Sequence, residues 1–380
     1  MFKPKKSVIL AAILAGVVSM GNFGEVSAAP INSVTSTTMK NCSISDLKND
    51  TRVFKVDKSI QTKFVTFRNR YGIDVAGHLY LPKNFSANKK YAAIVVSGAF
   101  GAVKEQHSGL YAQEFAKAGF VAVAFDPSFT GESGGNVRNV GSPEIFTEDF
   151  SAAVDFVGSL AYVDREKIGA MGICGLSGPA VTAAINDVRI KAVAVSAMYD
   201  MVDSIRNHYL GDYYTPAQRE VVKKYLADMR WAEAEKGSSI PGYHEIPVVN
   251  GEAVHADEKL FPEKLPANVD SVTKEFFDYY RGRAFHPRAI NSNAIWSSTT
   301  PYGFFNFPLD THVEELSPRP IMLITGDKAH SKYHSDNLYA QAKSPKEIVV
   351  VKGATHTDLY DQLDKIPFDK LNKFFKENLK

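Results

Sequence analysis

The chain has 380 residues, of which 44% are hydrophobic and 23% are charged. This composition permits a full core, with room for one large domain and an insertion, and excludes a chain that is disordered throughout. The formal net charge is +2, and it falls to zero when segment 1–28, with its three lysines and Glu25, is removed. Charge therefore gives no reason to expect nucleic acid or an anionic membrane surface as a partner.

The first 28 residues have the pattern of a secretory signal. Three lysines precede an apolar run over 8–18, and the small-residue sequence Val26-Ser27-Ala28 follows. We predict a signal peptide over 1–28 and an exported protein, periplasmic or extracellular. The apolar run is shorter than the roughly 20 residues that span a bilayer, so we predict no stable membrane span after cleavage, with a retained anchor as the alternative.

The chain contains two cysteines, Cys42 and Cys174. An oxidising compartment would permit one disulfide between them. However, Cys42 lies in a polar stretch and Cys174 ends an apolar run, so their surroundings argue against a structural pair.

Ordered structure is predicted to begin near residue 59. Residues 29–58 are rich in Ser, Thr and Asn without a sustained hydrophobic period, which indicates a loosely ordered leader. Apolar residues then alternate over 65–67 and 73–81 around the turn 69–72, which predicts an antiparallel pair of strands.

From there, buried strands alternate with amphipathic helices. The strands are predicted at 93–96, 121–125, 168–173 and 192–195, and, after a break at Asp200, at 321–325 and 348–351. This alternation is typical of an α/β fold with a mostly parallel, doubly wound sheet. We assign the core to 59–200 and 316–380, and an inserted, mainly helical lid or cap to 201–315.

One motif carries the chemistry of a nucleophile. The strand over 167–171 runs into G-I-C-G-L-S-G (172–178) and directly into a helix, the context of a nucleophile elbow. The tight turn requires Gly172 and Gly175 and leaves Cys174 strained and projecting, where a helix N-terminus favours the thiolate. The alternatives are a buried core cysteine at Cys174, or Ser177 as the nucleophile, although Ser177 falls where the helix has begun.

The order of elements indicates the base and the acid. His356, in G-A-T-H-T-D-L, follows the last predicted strand, the position of a general base. The acid is expected after strand 321–325, where G-D-K-A-H-S offers Asp327 at a shifted position. Asp200, in S-A-M-Y-D-M, is the alternative acid.

An oxyanion hole requires two backbone N–H donors. Gly175 supplies one, and Ala99 or Phe100, in S-G-A-F-G-A-V-K-E-Q, supplies the other. Taken alone, this segment is equally typical of a glycine-rich turn that binds nothing.

No cofactor is predicted. The glycine-rich segment lacks the G-x-G-x-x-G and G-K-[ST] spacings of nucleotide-binding loops. His330 and His334 share a helical spacing without a third metal ligand, so we interpret both as polar surface or pocket-edge residues and expect no metal.

Several segments together resemble the dienelactone-hydrolase-like branch of the α/β-hydrolases, and more closely a group of uncharacterised bacterial exported hydrolases. They are V-K-E-Q (103–106), F-D-P-S-F-T-G-E-S-G-G (125–135), G-I-C-G-L-S-G, S-A-M-Y-D-M, S-P-R-P-I-M-L-I-T-G and G-A-T-H-T-D-L-Y-D. The resemblance implies a Cys-His-Asp triad and small ester, lactone or related acyl substrates. Leu176 departs from the family's pattern, because many elbows have glycine there.

The leading hypothesis is hydrolysis of a small ester, lactone or thioester through Cys174, His356 and an acyl-enzyme. The alternatives are acyl transfer by the same triad and a non-catalytic binding protein. The oligomeric state is left open. Aromatic residues of the lid are expected to line an apolar pocket or the lid's own core; they include Tyr213, Tyr214, Trp231, Tyr280, Phe304 and Phe305.

Overall fold

Nine strands form one sheet in the computed structural model, which describes residues 41–208, 214–255, 258–343 and 345–380. The predicted signal peptide and Tyr213 lie outside these ranges. The sheet strands are β1 (Cys42–Asp46), β2 (Gln61–Arg68), β3 (Asp74–Leu81), β4 (Tyr91–Ser97), β5 (Val121–Phe125), β6 (Val163–Ile173), β7 (Ile190–Ser196), β12 (Ile321–Gly326) and β13 (Lys346–Val351). Two short pairs lie between β7 and β12: β8 (Pro241–Gly242) with β11 (Trp296–Ser297), and β9 (Val248–Val249) with β10 (Glu252–Ala253).

The strand order is β1-β2-β3-β5-β4-β6-β7-β12-β13. The pairs from β1 to β5 are antiparallel, and every pair from β5 through β4 to β13 is parallel. The carboxyl ends of the parallel strands therefore meet at one edge, where the loops that follow β4, β6 and β13 come together. The predicted fold class, an α/β-hydrolase fold with a mostly parallel sheet, is confirmed.

Helices surround the sheet and fill the insertion. They are α1 (His107–Lys117), α2 (Pro143–Ser159), α3 (Ser177–Asn186), α4 (Met201–Asn207), α5 (Pro216–Lys236), α6 (Ser271–Phe277), α7 (Ile290–Asn293), α8 (Lys332–Gln341), α9 (Asp358–Asp361) and α10 (Phe368–Asn378). Short 3₁₀ helices cover Cys174–Leu176, Thr300–Gly303 and Val313–Leu316, and a π-helical segment covers Asp278–Arg283. Against the sheet, α1 meets α10 where Phe115 packs on Phe375, and α2 packs against α3.

The leader prediction is wrong for the part of it that is described. Cys42–Asp46 forms the edge strand β1, whose five residues pair with Lys63–Phe67 of β2. Further along, the Val53 N–H donates to the Glu105 carbonyl at 3.0 Å. Alternation of Cys42 and Ile44 with polar residues is the local signal for this strand, but it is too short to stand out.

The insertion between β7 and β12 contains α4 to α7 and adds no strand to the main sheet within the described ranges. Its longest helix, α5, begins with a capping box between Thr215 and Gln218 and ends at Gly237 in the left-handed conformation. The described residues, which begin at 41, belong to one compact unit, so the lid shares a core with the sheet. Across the described chain we find no helix with the length and apolar character that crossing a membrane requires.

Candidate active site

The turn after β6 has the geometry of a nucleophile elbow. Cys174 has φ of +53°, a strained conformation for a residue with a side chain, and α3 begins three residues later. A Cβ on Gly172 would lie 2.7 Å from the Leu176 carbonyl oxygen, and one on Gly175 would lie 2.8 Å from Cβ of Phe100. Both glycines are therefore required by close approach, and the turn holds Cys174 at its apex.

The rival nucleophile occupies a different place. Ser177 is the first residue of α3 and is fully buried, and its Oγ has no hydrogen-bond partner in the described chain. No disulfide joins Cys42 to Cys174, both of which are described. Leu176, where many elbows have glycine, packs with no exposed surface inside the turn.

Two backbone N–H groups converge on the sulfur. The N–H groups of Phe100 and Gly175 both donate hydrogen bonds to Sγ of Cys174. Ala99, the other candidate donor, is occupied because its N–H donates to Nε2 of His107 at 2.7 Å. The geometry thus selects Phe100 and Gly175 as the pair suited to an oxyanion.

Side chains that the sequence interpretation missed hold the Phe100 peptide in place. Asn291 Nδ2 donates to the Phe100 carbonyl at 2.7 Å, and the Asn291 N–H donates to the Gly101 carbonyl. Because Nε2 of His107 accepts from Ala99, Nδ1 carries the proton and donates to the Tyr279 hydroxyl at 2.8 Å. Gly98 and Gly101 are the glycines that make room, since a Cβ on either would lie 2.4 Å from His107 or Asn291.

A tyrosine lies between the predicted nucleophile and the predicted base. The Tyr360 hydroxyl is hydrogen-bonded to Sγ of Cys174 and lies 2.9 Å from Nε2 of His356. On the other side of the ring, Nδ1 of His356 lies 2.6 Å from Oγ of Ser331. The structure therefore connects Cys174 to His356 through Tyr360, and the position expected for the acid holds Ser331.

Neither candidate acid contacts His356 in the described chain. Asp327 is exposed and accepts from the Gly353 N–H at 2.7 Å. It points away because the turn after β12 is tied to the turn after β13, with the Lys328 N–H donating to the Ala354 carbonyl. Asp200 caps α4, accepting from the N–H groups of Val202 and Asp203. Neither aspartate therefore contacts the imidazole as the predicted triad requires.

Two further histidines lie beside the base. The His330 ring lies 5.1 Å from the His356 ring, and Tyr199 packs against both His334 and His356. His334 is only 2% exposed, so its interpretation as a surface or pocket-edge residue is wrong. Nδ1 of His330 lies 3.2 Å from Glu275 of α6, which links the lid to this cluster. No group of three His, Cys, Asp or Glu suited to a metal ion occurs in the described ranges.

Burial determines the protonation states of Cys174 and His356. It raises the pKa of the Cys174 thiol to about 11, against hydrogen bonds from Tyr360, Gly175 and Phe100 that lower it. Burial also holds the pKa of His356 well below 6.5, and the neighbouring histidines lower it further. Both groups are therefore neutral at rest, and the thiolate stabilisation expected from the helix N-terminus is outweighed by desolvation.

A cavity of about 230 Å³ lies between Cys174 and the lid. The lid contributes mainly apolar and aromatic side chains, namely Leu260, Phe261, Val272, Phe276 and Tyr280. Of the lid aromatics predicted to line a pocket, Tyr280 does so, Tyr214, Phe304 and Phe305 are buried elsewhere in the lid, and Trp231 is 71% exposed. Cys174 itself is 6% exposed and lines this cavity, which therefore gives a substrate access to the sulfur.

One carboxyl group faces the cavity. Glu245 accepts a hydrogen bond from Oγ of Ser204 on α4, and burial raises its pKa to about 7. The adjacent His244 also lines the cavity, and burial lowers its pKa to about 4. Sequence reasoning missed Glu245 because the polar segment 237–268 has no periodicity that indicates which side chains face inward.

Known proteins share this architecture. Protein PA2218 of Pseudomonas aeruginosa is 44% identical over 380 residues, covering 99% of this chain and 96% of that protein. Its crystal structure has a TM-score of 0.80 at 46% identity, over 88% of this chain and 99% of the other. The crystal structure of the α/β hydrolase GrgF from a Penicillium species has a TM-score of 0.65 at 20% identity, over 84% and 99%.

The chain belongs to the same family as protein PA2218 and has the α/β-hydrolase fold. The chain is also 28% identical to thiohydrolase aneE of Aspergillus aculeatus over 265 residues, which cover 69% of this chain and 76% of that protein. The polyketide transferase GrgF of a Penicillium species is 23% identical over 299 residues, which cover 77% of this chain and 89% of that protein. No family model matches the chain. The relatives thus include hydrolytic and acyl-transferring proteins, which supports an enzyme of the hydrolase type.

Proposed function

We propose that the protein hydrolyses a small thioester, ester or lactone through an acyl-enzyme on Cys174. The observation that carries this proposal is the convergence of two backbone N–H groups, from Phe100 and Gly175, and the Tyr360 hydroxyl on one sulfur atom. Donors aimed at a nucleophile on a sharp turn are suited to stabilise the charge that develops when it attacks a carbonyl. A core cysteine would need none of these three groups.

In the acylation step, Sγ of Cys174 attacks the carbonyl carbon and a C–S bond forms. Since thiol and imidazole are neutral at rest, the thiol proton moves to the Tyr360 oxygen as the Tyr360 proton moves to Nε2 of His356. The N–H groups of Phe100 and Gly175 hold the resulting oxyanion. When the bond to the leaving group breaks, His356 returns the proton to that group.

In the deacylation step, water replaces the leaving group. His356 accepts a proton from water through the Tyr360 hydroxyl as the water oxygen attacks the acyl carbon, and the same two N–H groups hold the second oxyanion. Breakage of the C–S bond releases a carboxylic acid, and the proton on His356 returns to the sulfur. Ser331 keeps the imidazole oriented, but as a neutral group it stabilises the imidazolium less than a carboxylate would.

The experiment compares wild type, Cys174→Ala and Ser177→Ala on p-nitrophenyl esters and acyl thioesters of two to eight carbons. We expect Cys174→Ala to lose at least about 1,000-fold in kcat/KM, because the acyl-enzyme cannot form. Ser177→Ala is the matched control at the elbow and should stay within about threefold of wild type. Loss of activity in Ser177→Ala alone would overturn the proposal, and no turnover by wild type would favour a binding protein.

A second candidate is acyl transfer to an alcohol or amine by the same residues. The observation that favours it is the cavity of about 230 Å³ beside Cys174, because a cavity with a mainly apolar and aromatic lining can hold an acceptor next to the acyl group. Product analysis with added alcohols and amines separates the two functions. Hydrolysis alone at high acceptor concentration would exclude transfer.

We further propose that the protein is exported after cleavage behind Ala28. The support is the run of lysines, apolar residues and small residues over 1–28. N-terminal sequencing of the protein from cell fractions tests it. A cytoplasmic product that retains Met1 would contradict it.

A further inference from the structure

The cavity above Cys174 contains a carboxyl group that the proposed hydrolysis does not use. Glu245 lines the cavity, and its Oε1 accepts from Ser204. Among the described residues, no lysine or arginine lines this cavity, so none of them places a positive charge beside the carboxyl group.

The groups that face Glu245 do not supply that charge. Burial holds the neighbouring His244 neutral by lowering its pKa to about 4. Cys174, Tyr199 and Tyr214 interact with Glu245 electrostatically, and each becomes negative when it ionises. Across the cavity, Tyr280 and Tyr360 are likewise neutral or anionic. A cation bound in the cavity would therefore be the missing partner.

The remaining lining is suited to an organic cation. Rings from both the core and the lid face the cavity; they are Phe100, Tyr199, Phe261, Phe276 and Tyr280. An ammonium group within about 6 Å of an aromatic face is attracted by the ring's quadrupole. One carboxyl group among several rings is a combination typical of sites that bind ammonium groups rather than metal ions.

We infer that Glu245 selects substrates whose acyl portion carries a protonated amine. The inference rests on the proposed function, since it takes Cys174 as the residue that holds the acyl group. The amine is placed on the acyl portion because that portion stays attached to Cys174 after the leaving group departs. Glu245 lines the same cavity as Cys174.

The kinetic test uses three p-nitrophenyl esters of matched chain length, with an amine, a hydroxyl or a methyl group at the chain end. Wild type should prefer the amine ester over the methyl ester by about tenfold or more in kcat/KM. Glu245→Gln should lower kcat/KM on the amine ester at least about tenfold more than on the methyl ester, mainly through KM. Circular dichroism and thermal unfolding of the variant report whether it is folded.

A binding test needs no turnover. Hexylammonium should protect Cys174 of wild type from alkylation by iodoacetamide, while hexanol at the same concentration should protect less. Protection by hexylammonium should increase as the pH rises through about 7, where Glu245 loses its proton, and should be absent in Glu245→Gln.

The outcomes separate this inference from the proposed function. Equal turnover by wild type and Cys174→Ala would defeat the proposed function, and the protection test would still decide the role of Glu245. Equal losses on all three esters in Glu245→Gln, a preference for the hydroxyl ester, or equal protection by hexanol and hexylammonium would each overturn the inference.

Discussion

The phenolic oxygen of Tyr360 lies 2.9 Å from Nε2 of His356, and the same hydroxyl is hydrogen-bonded to Sγ of Cys174. Tyr360 belongs to the short helix α9, four residues after His356, so both side chains come from one loop after β13. The Tyr360 hydroxyl therefore offers a path for a proton between the sulfur and the imidazole.

The first prediction concerns this hydroxyl. Tyr360→Phe removes the group that connects Cys174 to His356 while keeping the ring, which stacks on His107. Because proton transfer then lacks its bridge, we expect kcat to fall by about 100-fold with KM changed less than threefold. Steady-state kinetics on the preferred ester measure it. Tyr279→Phe is a matched control, and an unchanged kcat in Tyr360→Phe would show that His356 reaches the thiol directly.

The second prediction places a carboxylate where the structure has Ser331. In Ser331→Asp, a negative charge next to Nδ1 raises the pKa of His356, which burial and neighbouring histidines hold low in wild type. Activity requires neutral His356, so the acidic limb of the kcat/KM profile should move to higher pH. Ser331→Ala should lower kcat by about tenfold without moving that limb upward. An acidic limb in Ser331→Asp at the wild-type pH would contradict the assignment.

The third prediction tests the roles of Asp327 and Asp200, the two candidate acids of the triad predicted from the sequence. Asp327→Asn should leave kcat/KM within about twofold, because Asp327 is exposed and bonded to the Gly353 N–H. Asp200→Ala removes the N-cap of α4 and should lower the free energy of unfolding by about 1 kcal/mol. Denaturant unfolding and ester kinetics on both variants test this. A loss of more than 100-fold in Asp327→Asn would restore Asp327 as the acid.

The fourth prediction uses the pKa of the nucleophile. Burial raises the pKa of Cys174 to about 11, so the thiolate fraction, and with it the rate of alkylation, should keep increasing above pH 9. Stopped labelling with iodoacetamide, followed by peptide mapping, measures the rate at Cys174 apart from that at Cys42. A rate that levels off near pH 7 would indicate a thiolate–imidazolium pair instead.

The sequence predicts the parts of this site that depend on the backbone. The elbow at Cys174 follows from glycines that the turn requires, and the position of His356 follows from strand order. The partners of His356 depend on how two turns pair, with Lys328 bonded to Ala354, and no local pattern encodes that pairing. Tyr360 lies only four residues after His356 in the same loop region, but no pattern in the sequence indicates that its hydroxyl faces the imidazole.

The hydrogen bonds that position Phe100 also could not be predicted from the sequence. Asn291 lies 191 residues away along the chain, in the lid, and its contact with the Phe100 carbonyl arises only when the lid packs on the sheet. Glu245 is a similar case, because its segment has no hydrophobic period. The elements thus follow from local patterns, whereas the side-chain contacts between distant segments do not.

The proposed acyl-enzyme is tested most directly by identifying the residue that carries the acyl group. Wild type is mixed with a p-nitrophenyl ester, quenched in acid within the first turnover, and examined by intact-protein and peptide mass spectrometry. We expect a mass increase of one acyl group on the peptide that contains Cys174, and no such increase in Cys174→Ala. An acyl group on Ser177, or steady turnover without acylation of Cys174, would contradict it.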